Sequence, residues 1–402
     1  MAQPLRVAAC HASPVFLSAR KTTDKAISLI NQASANGANL VVFPETYIAA
    51  FPIWSAMRAP TENHDLFARM AAESVYVDGD EIGAIRQAAR AARTIVSLGF
   101  SKKTRHSSAC LYNSNLIIDA DGEVLVHHRK LMPTFYEKLT WSPGDGHGLR
   151  VANTRVGKIG ALICGENTNP LARYTMMAQG EQVHISSWPA IWPTRLPRTG
   201  SAAAGAGEKS GEQAGERGTD PSPSSVRRAA NFNNVAANRT RAAAHCFEAK
   251  CFGVMCAGFL GADAVDAVAE GSSRPEETAQ ILRLMPNGAT MFLDPTGSLL
   301  PGFIVNPQTG TYETVDFLQK DEGIIYADMN LEDCIEGKQY HDVVGGYQRF
   351  DVFDLKVNRT RQNPVTFVGD QQYLEVQSQR AVGVRSEDIF EPKQDGDGVW
   401  TM

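Results

Sequence analysis

The stretch Val156-Gly157-Lys158-Ile159-Gly160-Ala161-Leu162-Ile163-Cys164-Gly165-Glu166-Asn167 decides the fold. It begins as a small and apolar run of strand length, in which Gly160 and Ala161 leave room for a close neighbour. The run stops at Cys164, and polar residues follow at once. Thr168 is placed to cap a helix whose first turn contains Pro170. Strand, cysteine, turn and helix together hold a thiol at the end of a sheet. Nearby backbone amides and a helix N-terminus then favour the thiolate. Taken alone, such a cysteine is more often a small buried hydrophobe than a nucleophile. The choice depends on whether other strand ends supply a base and a cation.

Working outward, the chain before this stretch alternates strand and helix. Leu5 to Cys10 is a short apolar strand. Lys21 to Asn36 has helical periodicity and ends at Gly37, and Asn39 to Phe43 is a second strand that ends at Pro44-Glu45. This order predicts an α/β sheet. Helices are expected across Asn63–Val75 and Asp80–Ala92, and a strand across Thr94–Phe100. Leu111–Asp119 and Glu123–His127 flank a Gly turn at Gly122, a hairpin that makes the sheet mixed. The hairpin runs straight into His128-Arg129-Lys130-Leu131.

After Cys164, Asn169–Gln179 predicts a helix, Gln182–Ser186 a strand, Val226–Lys250 a helix and Cys251–Phe259 a buried strand. Arg198–Ser225 is rich in Gly, Ala, Ser, Glu and Pro, without aromatics, and predicts a flexible surface insertion within one fold. Gly261–Thr278 reads as a small polar loop. Short strands are expected at Ile281–Leu284, Ala289–Leu293, Ser298–Leu300, Gly323–Asp328 and Phe350–Val357. The predicted organisation is one domain over residues 1–360, with a tail over 361–402.

The bulk numbers fit a globular protein with ample core: 402 residues, 43% hydrophobic and 21% charged. A net charge of -5 gives no general pull toward nucleic acid or an anionic membrane. No segment approaches the roughly 18 apolar residues of a membrane span, and MAQPLRVAAC lacks the apolar core of a signal peptide. Seven cysteines without framework spacing suggest reduced thiols and a cytoplasmic setting. Cys246, Cys251 and Cys256 lack partners at metal-site spacing, so no metal is expected and these thiols read as core.

Three strand ends share a pattern. Phe43-Pro44-Glu45 presents a carboxylate, His128-Arg129-Lys130 an ammonium, and Leu162-Ile163-Cys164 a thiol. Converging in one crevice, they would form a covalent catalyst. A thiolate attacks an electrophilic carbon, a carboxylate takes the thiol proton and later activates water, and an ammonium stabilises the charge that develops. Apart from that pattern, Glu45 reads as a solvated turn residue and Lys130 as part of a basic surface patch. Tyr47, Trp54, Trp188 and Trp192 could line a pocket or fill the core.

The Glu…Lys…Cys order and its surrounding words resemble the nitrilase superfamily of carbon–nitrogen hydrolases. Phe43-Pro44-Glu45-Thr46 is similar to its glutamate motif. His128-Arg129-Lys130-Leu131 with Pro133-Thr134 is similar to its lysine motif. Cys164-Gly165-Glu166-Asn167 with Pro170-Leu171 resembles the cysteine motif of the nitrilase branch. The resemblance spans about Leu5 to Val357, leaving out the insertion.

It implies a four-layer α-β-β-α sandwich without metal or cofactor, with Glu45 as general base, Lys130 as stabiliser and Cys164 as nucleophile. It also implies a second glutamate, which Phe135-Tyr136-Glu137-Lys138 places at Glu137. Trp188, Trp54 and Tyr47 are the expected substrate contacts. The implied reaction converts an organic nitrile to the carboxylic acid and ammonia. An amidase or a nitrile or cyanide hydratase would use the same residues, and a non-catalytic scaffold would not need them. Homo-oligomers are implied, including spirals or filaments built through insertions and the C-terminal tail. One departure stands out: Gly346-Tyr347-Gln348-Arg349-Phe350-Asp351-Val352 has Gly where nitrilases commonly have His.

Overall fold

The structure, a computed structural model, describes residues 4–193 and 233–365. The insertion at 198–225 and the tail beyond 365 lie outside the described residues. Contacts divide the chain into Met1–Thr360 and Arg361–Met402. The elements below all belong to the first unit.

The chain opens with β1 (Leu5–His11), α1 (Ala19–Ala35) and β2 (Leu40–Val42). It continues through α2 (Trp54–Met57), α3 (His64–Glu73), α4 (Asp80–Ala92), β3 (Ile95–Thr104), β4 (Ser107–Ile118) and β5 (Val124–Arg129). Next come β6 (Ala152–Thr154), β7 (Gly157–Ile163), α5 (Pro170–Met177), β8 (Val183–Trp188), α6 (Asn234–Ala249) and β9 (Phe252–Ala257). The last part holds α7 (Ala262–Glu270), α8 (Pro275–Leu284), β10 (Met291–Leu293), β11 (Leu299–Leu300), β12 (Gly302–Val305), β13 (Tyr312–Val315), β14 (Gly323–Met329) and α9 (Asp333–Tyr340).

Two mixed sheets result. One runs β13-β12-β14-β1-β2-β3-β4-β5, the other β11-β10-β9-β8-β7-β6. Side-chain alternation along the strands stacks them. Val7, Ala9, Leu40 and Val42 of the first sheet share a core with Ile159, Val183, Ile185 and Val254 of the second. The intervening residues Ala8, Cys10 and Val41 face the opposite way, against Ala26 and Ile30 of α1 and Ile82 and Ile85 of α4. On the second sheet, Leu162 packs on Ala172 and Met176 of α5, and Met255 and Leu293 pack with Ala242 and Cys246 of α6. The layers are therefore helix, sheet, sheet and helix, the sandwich that the family resemblance implies.

Four local expectations are corrected. Residues 261–278 are not a loop, and Ile281–Leu284 is not a strand. Ala264, Val265, Val268 and Ala269 recur at helical spacing as the buried face of α7, and Pro275, Glu276 and Glu277 start α8 in the way helices favour. No strand forms at Phe350–Val357. Phe350, Val352 and Phe353 are exposed, and the segment turns instead through bonds from Val352 and Phe353 to the Arg349 carbonyl. The cap of α5 is Asn169 rather than Thr168, because Asn169 Oδ1 accepts from the Leu171 and Ala172 amides at 3.0 and 3.4 Å.

Candidate active site

The three strand ends converge. Glu45 follows β2, where Phe43 still donates to the Ser97 carbonyl at 2.8 Å. Gly99 of β3 makes that turn possible, since a Cβ there would lie 2.2 Å from the Pro44 carbonyl oxygen. Lys130 follows β5, and its amide donates to the Asn113 carbonyl of β4 at 2.8 Å. Cys164 follows β7, which is held parallel to β8 from Ile159↔Val183 to Ile163↔Ser187. Left-handed backbone marks each segment: Thr46 at φ +43°, Phe135 at φ +50° and Cys164 at φ +51°. Such residues each cost about 1–3 kcal/mol, and they collect where surrounding contacts impose the conformation.

The ammonium of Lys130 lies between two carboxylates. It donates to Glu45 Oε1 at 2.8 Å and to Glu137 Oε1 and Oε2 at 2.9 and 2.7 Å. All three side chains are fully buried. Carboxylate oxygens of Glu45 and Glu137 and the sulfur of Cys164 lie within 4.8 Å of one another. Those three residues have the ligand types of a metal site, but the Lys130 ammonium already bridges the carboxylates. Glu45 Oε1 also accepts from Asn113 Nδ2 at 2.6 Å. Glu45 Oε2 is buried and has no hydrogen-bond partner among the described residues. Glu137 is fixed by its own turn, where Oε2 accepts the Thr134 amide at 3.1 Å.

Burial sets the charges here. It works against the Lys130 ammonium, yet Cys164, Glu137 and Glu45 together hold that group well above the usual amine range. Burial raises the Glu137 carboxyl to about 7, with Lys130 pulling it down and Glu45 pushing it up. Burial also pushes the Cys164 thiol well up, and Glu45 adds to this against the pull of Lys130. The Gly165 amide favours the thiolate, as expected of the turn, but desolvation outweighs it, and the thiol needs the base that the sequence pairs with it.

Glu166 ties two of the strand ends together. Its Oε1 accepts the Leu131 amide at 2.5 Å, its Oε2 accepts the Ile163 amide at 2.8 Å, and both oxygens face His128 Nε2 at 3.0 and 2.9 Å. Its carboxyl is held below the ordinary range, because His128 and those two amides outweigh the burial that would raise it.

Two cavities border the cluster. One of about 150 Å³ is lined by Cys164, Thr134, Trp188 and Trp192, with Asn238 and Arg241 from α6. Trp192 stacks on Tyr136 at a centroid distance of 4.6 Å. The other, about 40 Å³, is lined by Glu45, Tyr47 and aromatic neighbours that include Phe16 and Phe51. Of the expected contact residues, Trp188 lies beside the sulfur. Tyr47 lines only the smaller cavity, and Trp54 packs edge-on to Phe16 in a buried cluster and lines neither.

The sequence reading missed Asn113, whose side chain holds Glu45 while its carbonyl holds Lys130. An amide set within the apolar strand LYNSNLII was the available signal. It also missed the polar wall from α6, because nothing local places that helix near Cys164.

The family model for carbon-nitrogen hydrolases matches residues 6–209. A nitrilase of Penicillium rubens is 30% identical over 366 residues, which cover 90% of this chain and 96% of that protein. A nitrilase of Pseudomonas syringae pv. syringae is 31% identical over 379 residues, covering 94% of this chain and 96% of that protein. The crystal structure of a carbon-nitrogen hydrolase from Helicobacter pylori superposes with a TM-score of 0.59 at 17% identity, covering 87% of this chain and 97% of that one. That last likeness bears on the fold alone, whereas the sequence relatives run the length of the chain. On both grounds the chain belongs to the carbon-nitrogen hydrolase family, among its nitrilases.

Proposed function

We propose that this chain hydrolyses an organic nitrile to the carboxylic acid and ammonia through a covalent bond to Cys164. The observation that carries the reading is the open acceptor: Glu45 Oε2 is buried without a hydrogen-bond partner among the described residues, in a cluster where carboxylate and sulfur lie within 4.8 Å. Glu45 takes the thiol proton as the sulfur attacks the nitrile carbon, and that proton passes to nitrogen, leaving a thioimidate. Water adds to the same carbon, and ammonia leaves as the thioester forms. A second water, activated by Glu45, releases the acid and restores the thiol. Lys130 stabilises negative charge as it develops, and it does so in a site shielded from bulk water. Glu137 anchors Lys130 and faces the nitrogen as it leaves.

The cavity at Cys164 supports a substrate with an apolar or planar body against Trp188 and Trp192. Exposed apolar side chains support a homo-oligomer, filaments included: Leu171 and Phe247 on α5 and α6, Ile335 and Tyr340 on α9, and Phe350 and Phe353 beyond it. Seven free thiols support a reducing, cytoplasmic setting. No helix among the described residues is long and apolar enough to cross a membrane.

The test is a panel of aliphatic, arylaceto- and aromatic nitriles, assayed for ammonia, acid and amide, with the matching amides as controls. Acid and ammonia from nitriles support the reading. Turnover of amides alone makes the protein an amidase, and amide as the main product makes it a hydratase. No turnover of any panel member favours a scaffold.

A further inference from the structure

We propose that a buried chain of polar groups, Glu181–His184–Asn167, holds the backbone at Cys164, and that Asn167 and His184 are positioning residues for the chemistry at that sulfur. The proposal rests on the reading of Cys164 as the nucleophile. The nucleophile sits in left-handed backbone, at φ +51°, which a cysteine adopts only under constraint. Asn167 supplies one constraint. Its Nδ2 donates to the Cys164 carbonyl at 3.0 Å and to the Leu162 carbonyl at 3.2 Å. Both amide hydrogens are thereby used, so the orientation of the amide is settled by its partners.

That orientation has a consequence at the next residue. Asn167 Oδ1 faces His184 Nε2 at 2.9 Å, and an amide oxygen only accepts, so Nε2 carries a hydrogen. On the far side of the ring, His184 Nδ1 lies 3.0 Å from Glu181 Oε2. Glu181 is a carboxylate: its carboxyl is held down at about 2, because His245 and His184 outweigh the burial that would raise it. His184 thus bridges Asn167 and Glu181 through its two ring nitrogens, in a site where His184 and Glu181 are both buried.

The surroundings fit this assignment. His245 stacks on His184 at 3.5 Å and donates from Nε2 to Glu181 Oε1. Burial, with His184 adding to it, lowers His245 to about 4, so its ring is neutral. Its Nδ1 is then a bare acceptor, buried without a hydrogen-bond partner among the described residues. Other ionisable groups near the cluster among the described residues include Arg173, paired with Glu248 at 2.9 Å, and Cys251, which burial keeps as a thiol. Gly160 of β7 admits the whole arrangement, since a Cβ there would lie 2.1 Å from Glu181 Oε2. The Nε2–H bond to Oδ1 polarises the Asn167 amide and strengthens its donation to the Cys164 carbonyl.

Two measurements test this. Neutron diffraction from the deuterated, unmodified protein should show a deuteron on His184 Nε2, directed at Asn167 Oδ1. A bare Nε2 overturns the assignment whatever the activity. Kinetics of Asn167→Asp, which accepts from His184 but no longer donates to Cys164, should show kcat lower by about 100-fold with KM within threefold, as expected for a displaced nucleophile. His184→Gln should lower kcat by about tenfold, also at steady KM. Asn167→Asp that folds and keeps kcat within threefold overturns the positioning role. Where that variant fails to fold, the neutron result and His184→Gln decide. Full activity in Cys164→Ala would instead refute the nucleophile itself, and it would leave the His184 protonation untouched.

Discussion

Glu137→Gln removes one charge from the cluster and almost no volume. On the mechanism proposed above, the intermediate formed by water and the thioimidate holds nitrogen and the Cys164 sulfur on one carbon. If nitrogen leaves, the acid follows, and if sulfur leaves, the amide is released. Departing nitrogen develops positive charge, which the Glu137 carboxylate stabilises from within 4.8 Å of the sulfur that carries the reacting carbon. A full charge at that distance is worth about 3.5 kcal/mol at an effective dielectric near 20, and a half-developed charge about half of that. The acid-to-amide ratio should therefore fall by roughly 20-fold in Glu137→Gln.

The same carboxyl supplies a second signature. With burial raising it to about 7, Glu137 is mostly protonated below that pH and ionised above it. In the unmodified enzyme the acid share should rise as pH increases through about 7. In Glu137→Gln that slope should vanish. Chromatography of both products from one well-turned-over nitrile, across pH 5.5–8.5 in steps of about half a unit, reads the two effects together. A ratio unchanged by the substitution, or a pH slope that survives it, would refute the role given to this carboxylate.

Cys164→Ala should abolish turnover and keep the native circular dichroism, while Cys251→Ala, a buried thiol away from the cluster, should cost stability and spare kcat. Glu166→Gln breaks the buried pair with His128 and leaves one of the two backbone amides facing an NH2, so a loss of about 3–5 kcal/mol is expected in urea unfolding. Because Glu166 is held below the ordinary carboxylate range, its contribution is present above about pH 4.3, the unfolded value, and is lost as pH falls through the lower folded value. The variant should therefore show a flatter acid limb of stability than the parent. Sedimentation of active protein should give multiples of 43.6 kDa, and an active monomer would refute the oligomer.

Much of this protein was legible in the linear chain, for a physical reason. Short apolar runs such as Leu40-Val41-Val42 and helices with one buried stripe, such as α1 and α4, reveal an α/β sheet from local pattern, and the four-layer stacking was what the family resemblance implied. Glu45, Lys130 and Cys164 stood out as candidates because each follows a strand and the three together make one chemical set, whereas each alone reads as an ordinary residue. Local pattern failed where burial is narrow or polar, as in α7, whose alanines resemble loop composition.

Tertiary structure decided what depends on distance between segments far apart in sequence. Only the fold brings Asn113 to Glu45 across 68 positions, and Asn238 and Arg241 of α6 to the cavity at Cys164. It sends Trp54 into the core and leaves Trp188 at the sulfur. It also sets how far burial raises the Cys164 thiol, because desolvation is a property of everything packed around the thiol and not of the turn that carries it.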